Sequence, residues 1–295
     1  MSFDVAIVGG SFAGLSAALQ LARARRRVAV FDTGLRRNRF AAASHGFLAQ
    51  DGRPPGEIAA QAREQLLRYP TVQWIDAAVS GIAGEADAFE VQAGGRTWPA
   101  RRIVLATGVS DGLPAIPGLQ ERWGRHVFHC PYCHGYELDE GRIGVIAVGP
   151  VSLHQALLLP EWGRVTFLLN GAFQPGGDDL RELSARGVAV EAAPILAIEG
   201  EARVVLEGGR AEDFAGLFVA SRTEPASPVA QQMGCALDES PLGRCVRTGP
   251  MKDTSVPGVF ACGDLARAAG NVALAVGDGA MAGAAVHRSL LFGLG

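Results

Sequence analysis

Short apolar runs alternate along the chain with segments of helical spacing, and most of the runs end at glycine or at a polar residue. The first run, Phe3 to Val8, predicts a strand, and Leu15 to Arg25, after a glycine-rich turn, has the spacing of a helix. A second apolar run, Val28 to Phe31, ends on Asp32. Strand, helix and strand in this order predict a βαβ unit, the start of a parallel sheet covered by helices.

The rest of the first half predicts a helix, a small meander and a linker. The helix is predicted at Glu57 to Tyr69, and another apolar strand at Arg102 to Ala106. Three strand runs between them, which suggest an antiparallel meander, lie at 72–79, 81–93 and 96–99. Asp111 to Pro117 has the composition of a linker and is the best candidate for a domain boundary.

A second βαβ pattern follows the linker, with a strand, a helix and a strand between residues 143 and 169. An apolar strand at Val259 to Cys262 and a long helix at Ala273 to Leu291 close the chain. We therefore predict an α/β fold of two Rossmann-like, three-layer domains, the second inserted into the first. The first domain would comprise residues 1–111 and 246–295, and the second residues 112–245.

Composition narrows the class of protein. Of 295 residues, 48% are apolar and 19% charged, which predicts a substantial core, and a net charge of −3 argues against nucleic-acid binding. The first strand begins at Phe3 without a basic leader, and the long uncharged run at 143–160 contains glycine, proline and polar residues. We therefore expect neither a secretory signal nor a membrane span. Five cysteines, an odd number, favour a reducing cytoplasm over an extracellular disulfide framework.

The turn after the first strand has the spacing of a dinucleotide-binding loop. Gly9 would permit the turn, Ser11 is small enough for a phosphate to approach, and Gly14 would allow the helix to pack on the strand. Such a loop offers backbone N–H groups at a helix N-terminus to an anion. Asp32 ends the next strand, where a carboxylate binds an adenosine ribose. The alternative is a glycine-rich turn that only packs.

Two thiols three positions apart, Cys130 and Cys133, are followed directly by His134. Such a pair can close and exchange a disulfide, and CxxC geometry commonly lowers the pKa of one thiol. A histidine can hold or release a proton near neutral pH. A covalent haem site, a zinc site and an inert buried pair are the rival interpretations. Haem attachment needs export, and zinc needs about four ligands where this segment offers three, so we favour a redox pair and expect no metal site.

Three motifs, in order, resemble the FAD signatures of flavoprotein reductases with two dinucleotide folds. They are the turn at Gly9, Ala106-Thr107-Gly108, and a segment from Thr254 that ends in Gly263-Asp264. With CxxC just after the linker, the whole chain resembles the low-molecular-weight thioredoxin reductases. That family usually has aspartate after the second cysteine. The version Cys-Pro-Tyr-Cys-His-Gly-Tyr-Glu at 130–137 resembles the branch that includes the dithiol oxidases of gliotoxin- and holomycin-type biosynthesis.

The resemblance implies an FAD-dependent thiol–disulfide oxidoreductase and a homodimer. The residues that it assigns to FAD are Gly9, Ser11, Ala13, Gly14, Asp32, Asn38, Thr107, Gly108, Gly263, Asp264, Asn271 and Val272. It implies that Cys133 faces the flavin and that Cys130 exchanges with the substrate, a small dithiol or disulfide or a thioredoxin-like protein. The chemistry of histidine beside a thiol, and not the resemblance, makes His134 the candidate acid–base residue. His45 is either a second histidine near the flavin or an ordinary loop histidine.

The second glycine-rich turn departs from the family pattern. Gly149 stands at the first glycine, but Val151 and His154 stand at the second and third, and Pro150 lacks an N–H. After the next strand, residues 168–171 offer no cation for a 2′-phosphate. The turn therefore disfavours specific NADPH binding. This favours dithiol oxidation, with electrons passed to oxygen or another acceptor, over a reductase that uses NAD(P)H or a ferredoxin-like donor. A flavin-binding redox sensor with negligible turnover is the third hypothesis.

Overall fold

In a computed structural model of the protein, which describes residues 2–294, the chain forms two compact units. The first unit contains Met1–Arg39, Phe47–Ser110 and Thr223–Gly295, and the second contains Phe40–Gly46 and Asp111–Arg222. The chain re-enters the first unit at Thr223, earlier than the predicted boundary after 245. The reason is that apolar residues between 229 and 246 pack into a core of the first unit, together with strands near the N-terminus.

The strands, in chain order, are β1 (Phe3–Val8), β2 (Val28–Asp32), β3 (Val72–Asp76), β4 (Val79–Ala83), β5 (Phe89–Ala93), β6 (Arg96–Leu105), β7 (Val109–Gly112), β8 (Val127–Phe128), β9 (Glu140–Ile146), β10 (Gly163–Leu168), β11 (Ala189–Glu191), β12 (Ile195–Glu199), β13 (Arg203–Leu206), β14 (Ala211–Asp213), β15 (Gly216–Val219), β16 (Arg222–Pro225), β17 (Leu237–Ser240), β18 (Gly243–Val246) and β19 (Val259–Ala261). The α-helices are α1 (Phe12–Arg23), α2 (Pro55–Leu67), α3 (Leu119–Arg122), α4 (Pro131–His134), α5 (Ser152–Leu158), α6 (Gly177–Ala185), α7 (Val229–Gln232) and α8 (Val272–Phe292). Short 3₁₀ turns lie at Tyr136–Leu138, Leu159–Glu161 and Gly263–Ala266.

The main sheet of the first unit has the order β3-β2-β1-β6-β5-β4, and β19 also pairs with β6. Strands β3, β2, β1, β6 and β19 run parallel, so their carboxyl ends meet at one edge of the sheet. Helices α1 and α8 lie close together, because Gly279 and Gly283 of α8 approach the backbone of α1 at Ala13 and Ala17. A side chain at either glycine would push these helices apart.

The antiparallel part of this sheet differs from the predicted meander. The run predicted at 72–79 divides at Ala77, and its first part, β3, pairs in parallel with β2. The runs predicted at 96–99 and 102–106 form the single strand β6. Arg102 interrupts the apolar pattern but stays inside this strand, because its guanidinium donates to the hydroxyl of Ser289 and lies 2.9 Å from the carboxylate of Asp87.

The second unit contains a parallel sheet in the order β11-β10-β9-β15-β8 and an antiparallel sheet of β12, β13 and β14. The central strands are apolar along their length because helices and loops cover both faces. Ile143, Val145, Phe167 and Phe218 are fully buried there. The βαβ pattern predicted after the linker is formed by β9, α5 and β10. The second glycine-rich turn lies between β9 and α5, and the segment with the two cysteines lies before β9, at α4.

Candidate functional site

The glycine-rich turn between β1 and α1 is built for close backbone contacts. Gly9 has φ +104°, and a Cβ there would collide with the carbonyl of Ala106, one residue before the Thr107-Gly108 pair. A Cβ at Gly14 would likewise collide with the carbonyl of Gly9. The first and second motifs are therefore in contact at the carboxyl ends of β1 and β6, as parallel pairing of those strands requires.

The C-terminal motif joins the same edge of the sheet. Gly263 has φ +71°, and a Cβ on it would lie 2.7 Å from the Cβ of Ala13 at the start of α1. It follows β19, which pairs in parallel with β6. Three motifs far apart in the sequence thus form one continuous backbone surface inside the first unit. Ser11 lies in it too, as the N-cap residue of α1.

Asp32, the last residue of β2, contacts the glycine-rich turn. Its Oδ1 accepts a hydrogen bond of 3.1 Å from the N–H of Gly10. A pocket of about 330 Å³ opens beside it, lined by Asp32, Thr33 and Gly34 from the end of β2 and by 76–78 from the end of β3. The β3 side of this pocket was absent from the sequence-based predictions, because 76–78 carries no motif. The carboxylate and the open backbone suit the ribose and base of a dinucleotide.

Charged and polar side chains surround the C-terminal motif. The Asp264 carboxylate accepts a hydrogen bond of 2.8 Å from Arg37. Asn271 caps α8, since its side chain accepts from the N–H of Leu274, and α8 begins at Val272, one residue before the predicted start at Ala273. The Oδ1 of Asn38 is buried and meets no donor within residues 2–294. An orphaned acceptor beside a glycine-lined backbone surface is what a bound ligand would satisfy.

An ion cluster that the sequence did not predict supports this region from α8. The buried carboxylate of Asp278 lies 2.9 Å from Lys252 Nζ and accepts a hydrogen bond of 2.7 Å from Arg267. Burial alone would raise the pKa of Asp278, but the two cations outweigh it and hold that pKa below its usual value. The cluster ties the loop before β19 and the loop after Gly263–Ala266 to α8. Lys252, Arg267 and Asp278 belong to no sequence motif, so only their proximity in the structure reveals the cluster.

The redox pair lies in the second unit. Cys130 and Cys133 form a disulfide with their Cα atoms 5.3 Å apart, well within the usual range. Cys130 is the N-cap residue of α4, Pro131 takes the first helical position, and the N–H of Cys133 donates to the carbonyl of Cys130. This single helical turn brings two residues at i and i+3 together. Tyr132, between them, is 72% exposed, whereas both cysteines are partly exposed and Pro131 is buried.

His134 follows the disulfide and is largely buried. Its imidazole stacks on Phe128, with ring centroids 4.4 Å apart. Burial, with a smaller contribution from His45, lowers the pKa of His134 to about 4, so the ring is neutral at pH 7. His45 in turn lies 3.3 Å from the carboxylate of Glu137. The structure therefore brings both predicted histidines together, and adds Glu137, which the motif at 130–137 contains but to which no role was assigned.

The second glycine-rich turn uses its own hydrogen-bond donors. The N–H of Ser152 donates to the carbonyl of Gly149, and the N–H of Leu153 to that of Pro150. The hydroxyl of Ser152 accepts from the N–H of Val148. N–H groups that already donate to carbonyls or to a hydroxyl of the turn are not offered to a phosphate. After β10, the side chain of Asn170 accepts from the N–H of Ile195. These internal bonds disfavour specific NADPH binding at the turn, in the same direction as its departure from the family sequence pattern.

The predicted residues fall into two groups. The group in the first unit holds the residues assigned to FAD, and the group in the second unit holds Cys130, Cys133, His134 and His45. Within the described part of the chain, no three His, Cys, Asp or Glu side chains are arranged to hold a metal ion. None of the helices described between 2 and 294 is long and apolar enough to cross a membrane.

Comparison with known proteins places these features in a family. The family described as pyridine nucleotide-disulphide oxidoreductase matches residues 3–279. A solved oxidoreductase from Agrobacterium tumefaciens is similar at 56% identity and a TM-score of 0.97, covering 99% of both chains. The structure of HlmI matches at 35% identity and a TM-score of 0.90, covering 98% of this chain and 93% of its own. Thioredoxin reductase sirT of Leptosphaeria maculans is 34% identical, covering 98% of this chain and 94% of its own.

These matches confirm several predictions. The α/β fold of two dinucleotide-binding domains is confirmed, as is the resemblance to thioredoxin reductases. The enzyme class, a disulfide oxidoreductase that uses FAD, is confirmed as well. The first unit fits this cofactor, because its glycine-rich turn leads into the N-terminus of α1, Asp32 ends β2 beside a pocket, and Asn38 offers a buried acceptor.

Proposed function

We propose, from the premise that the chain belongs to the pyridine nucleotide-disulphide oxidoreductase family, that it oxidises a dithiol substrate to a disulfide. Oxygen or another acceptor takes the two electrons. The observation that carries this proposal is the Cys130–Cys133 disulfide followed by a partly buried, neutral His134, in a unit whose nucleotide turn uses its donors internally. Dithiol oxidation needs an exchangeable disulfide and a group that accepts a proton, and these residues supply both without a nicotinamide site.

The exchange itself needs only the cysteines. A substrate thiolate attacks the sulfur of Cys130, a mixed disulfide forms, and Cys133 leaves as a thiolate. The second substrate thiolate then attacks the substrate sulfur of the mixed disulfide. This releases Cys130 and a substrate disulfide, and leaves two electrons on the protein as a dithiol. Exposure of Tyr132 and Tyr136, at 72% and 85%, supports access of a substrate to Cys130 from solvent.

His134 is suited to hold the proton that these steps release. Its low pKa in the disulfide state keeps the imidazole neutral and ready to accept a proton. When a thiolate forms beside it, the new negative charge favours the imidazolium, so the pKa rises at the moment when a proton must be held. We propose that His45, paired with Glu137, provides a second site for a proton in the same unit.

The first unit would hold FAD, which supplies a two-electron acceptor that restores the disulfide. Gly9, Ser11, Ala13 and Gly14 would receive its pyrophosphate at the N-terminus of α1. Asp32 would bind the ribose. The remaining contacts are assigned to Asn38, Thr107, Gly108, Gly263, Asp264, Asn271 and Val272. By this assignment Cys133 is the thiol that faces the flavin.

A second function has support from the names of the relatives. Two of them are thioredoxin reductase sirT and thioredoxin reductase tcpT of Claviceps purpurea, the latter 36% identical over 98% of this chain. A disulfide reductase would need an electron donor, either NAD(P)H bound loosely at the second turn or a ferredoxin-like protein. The substrate would then be a small disulfide or a thioredoxin-like protein. A homodimer in the cytoplasm is part of either proposal.

The deciding experiment adds single reductants to the oxidised, FAD-loaded protein without air. Bleaching of the visible flavin band by dithiothreitol, reversed by air with peroxide release and repeated over many turnovers, is the result expected of a dithiol oxidase. Bleaching by micromolar NADPH, with slow reoxidation in air, would replace it by the reductase. If neither reductant supports repeated cycles of flavin bleaching and reoxidation, the redox sensor remains as the function.

A further inference from the structure

The side chain of Gln155 is a buried amide bonded to the segment that leads into the disulfide. It is 8% exposed and lies on α5, in the second unit. Its Nε2 donates a hydrogen bond of 2.7 Å to the carbonyl of His129, the residue directly before Cys130. A carbonyl only accepts, so this bond fixes which end of the amide faces His129. The other end, Oε1, is buried and meets no donor in the described chain.

We propose that Gln155 is a positioning residue that tunes the redox equilibrium of the Cys130–Cys133 pair. Its Nε2 holds the backbone that enters Cys130. Its Oε1 accepts a hydrogen bond from a thiol S–H, a donor that exists only when the pair is reduced. The inference deepens the proposed function, because it concerns the same disulfide, and it requires only that the pair can be reduced.

The energetic argument follows from the unsatisfied oxygen. A buried acceptor without a donor is unfavourable, and in the disulfide state Gln155 carries that cost. Reduction by a dithiol moves two electrons and two protons onto the sulfurs, breaks the S–S bond and turns the reductant into a disulfide. Two S–H donors then exist where there were none. The amide therefore stabilises the reduced pair relative to the disulfide and makes the disulfide the stronger oxidant.

Redox titration of the FAD-loaded protein tests this inference. Parent and variants are equilibrated without air in mixtures of reduced and oxidised dithiothreitol, quenched with acid and alkylated, and the two additional thiols are counted by mass. Gln155→Met keeps the length of the side chain but loses both polar ends. We expect its equilibrium constant for reduction to fall about fivefold, as for one hydrogen bond lost from the reduced state. His154→Met, an exposed change on the same helix, should leave the constant unchanged.

The outcomes separate the explanations. An unchanged constant in Gln155→Met would mean that the oxygen is satisfied equally in both states, for instance by a buried water, and would overturn the inference. So would a shift toward reduction. Gln155→Leu, with the same expected shift, replaces Gln155→Met if that variant fails to retain flavin. The flavin band is recorded in the same samples. If thiols appear in the parent while the flavin stays oxidised, the proposed function fails, yet the comparison at Gln155 still stands.

Discussion

The imidazole of His134 stacks on the ring of Phe128, with the two planes inclined by only 24°. Phe128 is itself buried and forms half of the short strand β8, so the histidine rests on a fixed apolar surface. This contact removes one face of the imidazole from water. It explains why burial, more than the charge of His45, lowers the pKa of His134.

The low pKa of His134 predicts a pH dependence of stability. The unfolded chain binds a proton near pH 6.5 and the folded one near pH 4, so the unfolded state is favoured as the pH falls between these values. From pH 7.5 to pH 5 the parent should lose about 2 kcal/mol more free energy of unfolding than His134→Leu. Urea titrations at both pH values measure this. Equal losses in parent and variant would contradict the assigned pKa, and His154→Leu, an exposed change, serves as the control.

Replacing Cys133 tests the role of the disulfide. Cys133→Ser and Cys130→Ser should each lower the rate of dithiol-driven flavin bleaching by about a thousandfold or more, since no exchange is possible with one sulfur missing. Both variants should retain FAD, because neither cysteine lies in the first unit. Stopped-flow absorbance measures the bleaching. Cys245→Ser, at a partly buried cysteine outside any disulfide, is the matched control and should bleach at the parental rate. If Cys133→Ser bleaches as fast, the electrons do not pass through this pair.

Two glycines with the same positive φ allow the cost of side-chain crowding to be measured apart from the cost of backbone strain. Gly263 and Gly95 both have φ +71°, but a Cβ at Gly95 meets open space, whereas one at Gly263 lies 2.7 Å from Ala13. Both alanine variants should lose about 1–2 kcal/mol from the positive φ. Gly263→Ala should lose a further 1–3 kcal/mol, roughly, from crowding. It should also release FAD more readily, as measured by ultrafiltration. Equal losses of stability and flavin would mean that the contact between Gly263 and Ala13 has no importance.

The buried ion cluster predicts a large effect at a single carboxylate. Asp278→Asn would remove the carboxylate that Lys252 and Arg267 share, which should cost about 3–5 kcal/mol of unfolding free energy. Asp238→Asn removes a half-exposed partner of Arg247 and should cost under about 1 kcal/mol. Denaturant midpoints measure the stability of both variants. Similar midpoints in the two variants would contradict this account.

The same carboxylate predicts a pH dependence of stability. Because the pKa of Asp278 is lowered on folding, its contribution should be present above about pH 4 and be lost at lower pH.

Local patterns predicted much of the fold, and the failures have physical causes. Strand β1 was predicted from Phe3 to Val8 and is found there. A continuous apolar run of this length is typical of a strand in a parallel sheet that is buried on both faces. Helix α1 begins at Phe12 and not at Leu15, since the turn itself forms the first helical residues. The prediction divided strand β6 into two runs, 96–99 and 102–106, with Arg102 as the first residue of the second run. Only the tertiary partners Ser289 and Asp87 make that arginine acceptable inside a buried strand.

The sequence by itself determined the chemistry that the chain carries: two cysteines at a spacing that one helical turn brings together, and glycines where a side chain would collide with backbone. The cysteine spacing is a local property that one helical turn enforces. The glycines are visible in the sequence, although Gly9 and Gly263 avoid collisions with residues distant along the chain. The tertiary structure alone decided that His134 is neutral, that His45 lies near it with Glu137, and that Gln155 keeps an unsatisfied oxygen. Burial and charge at a site depend on residues distant in the sequence, and packing alone brings those residues together.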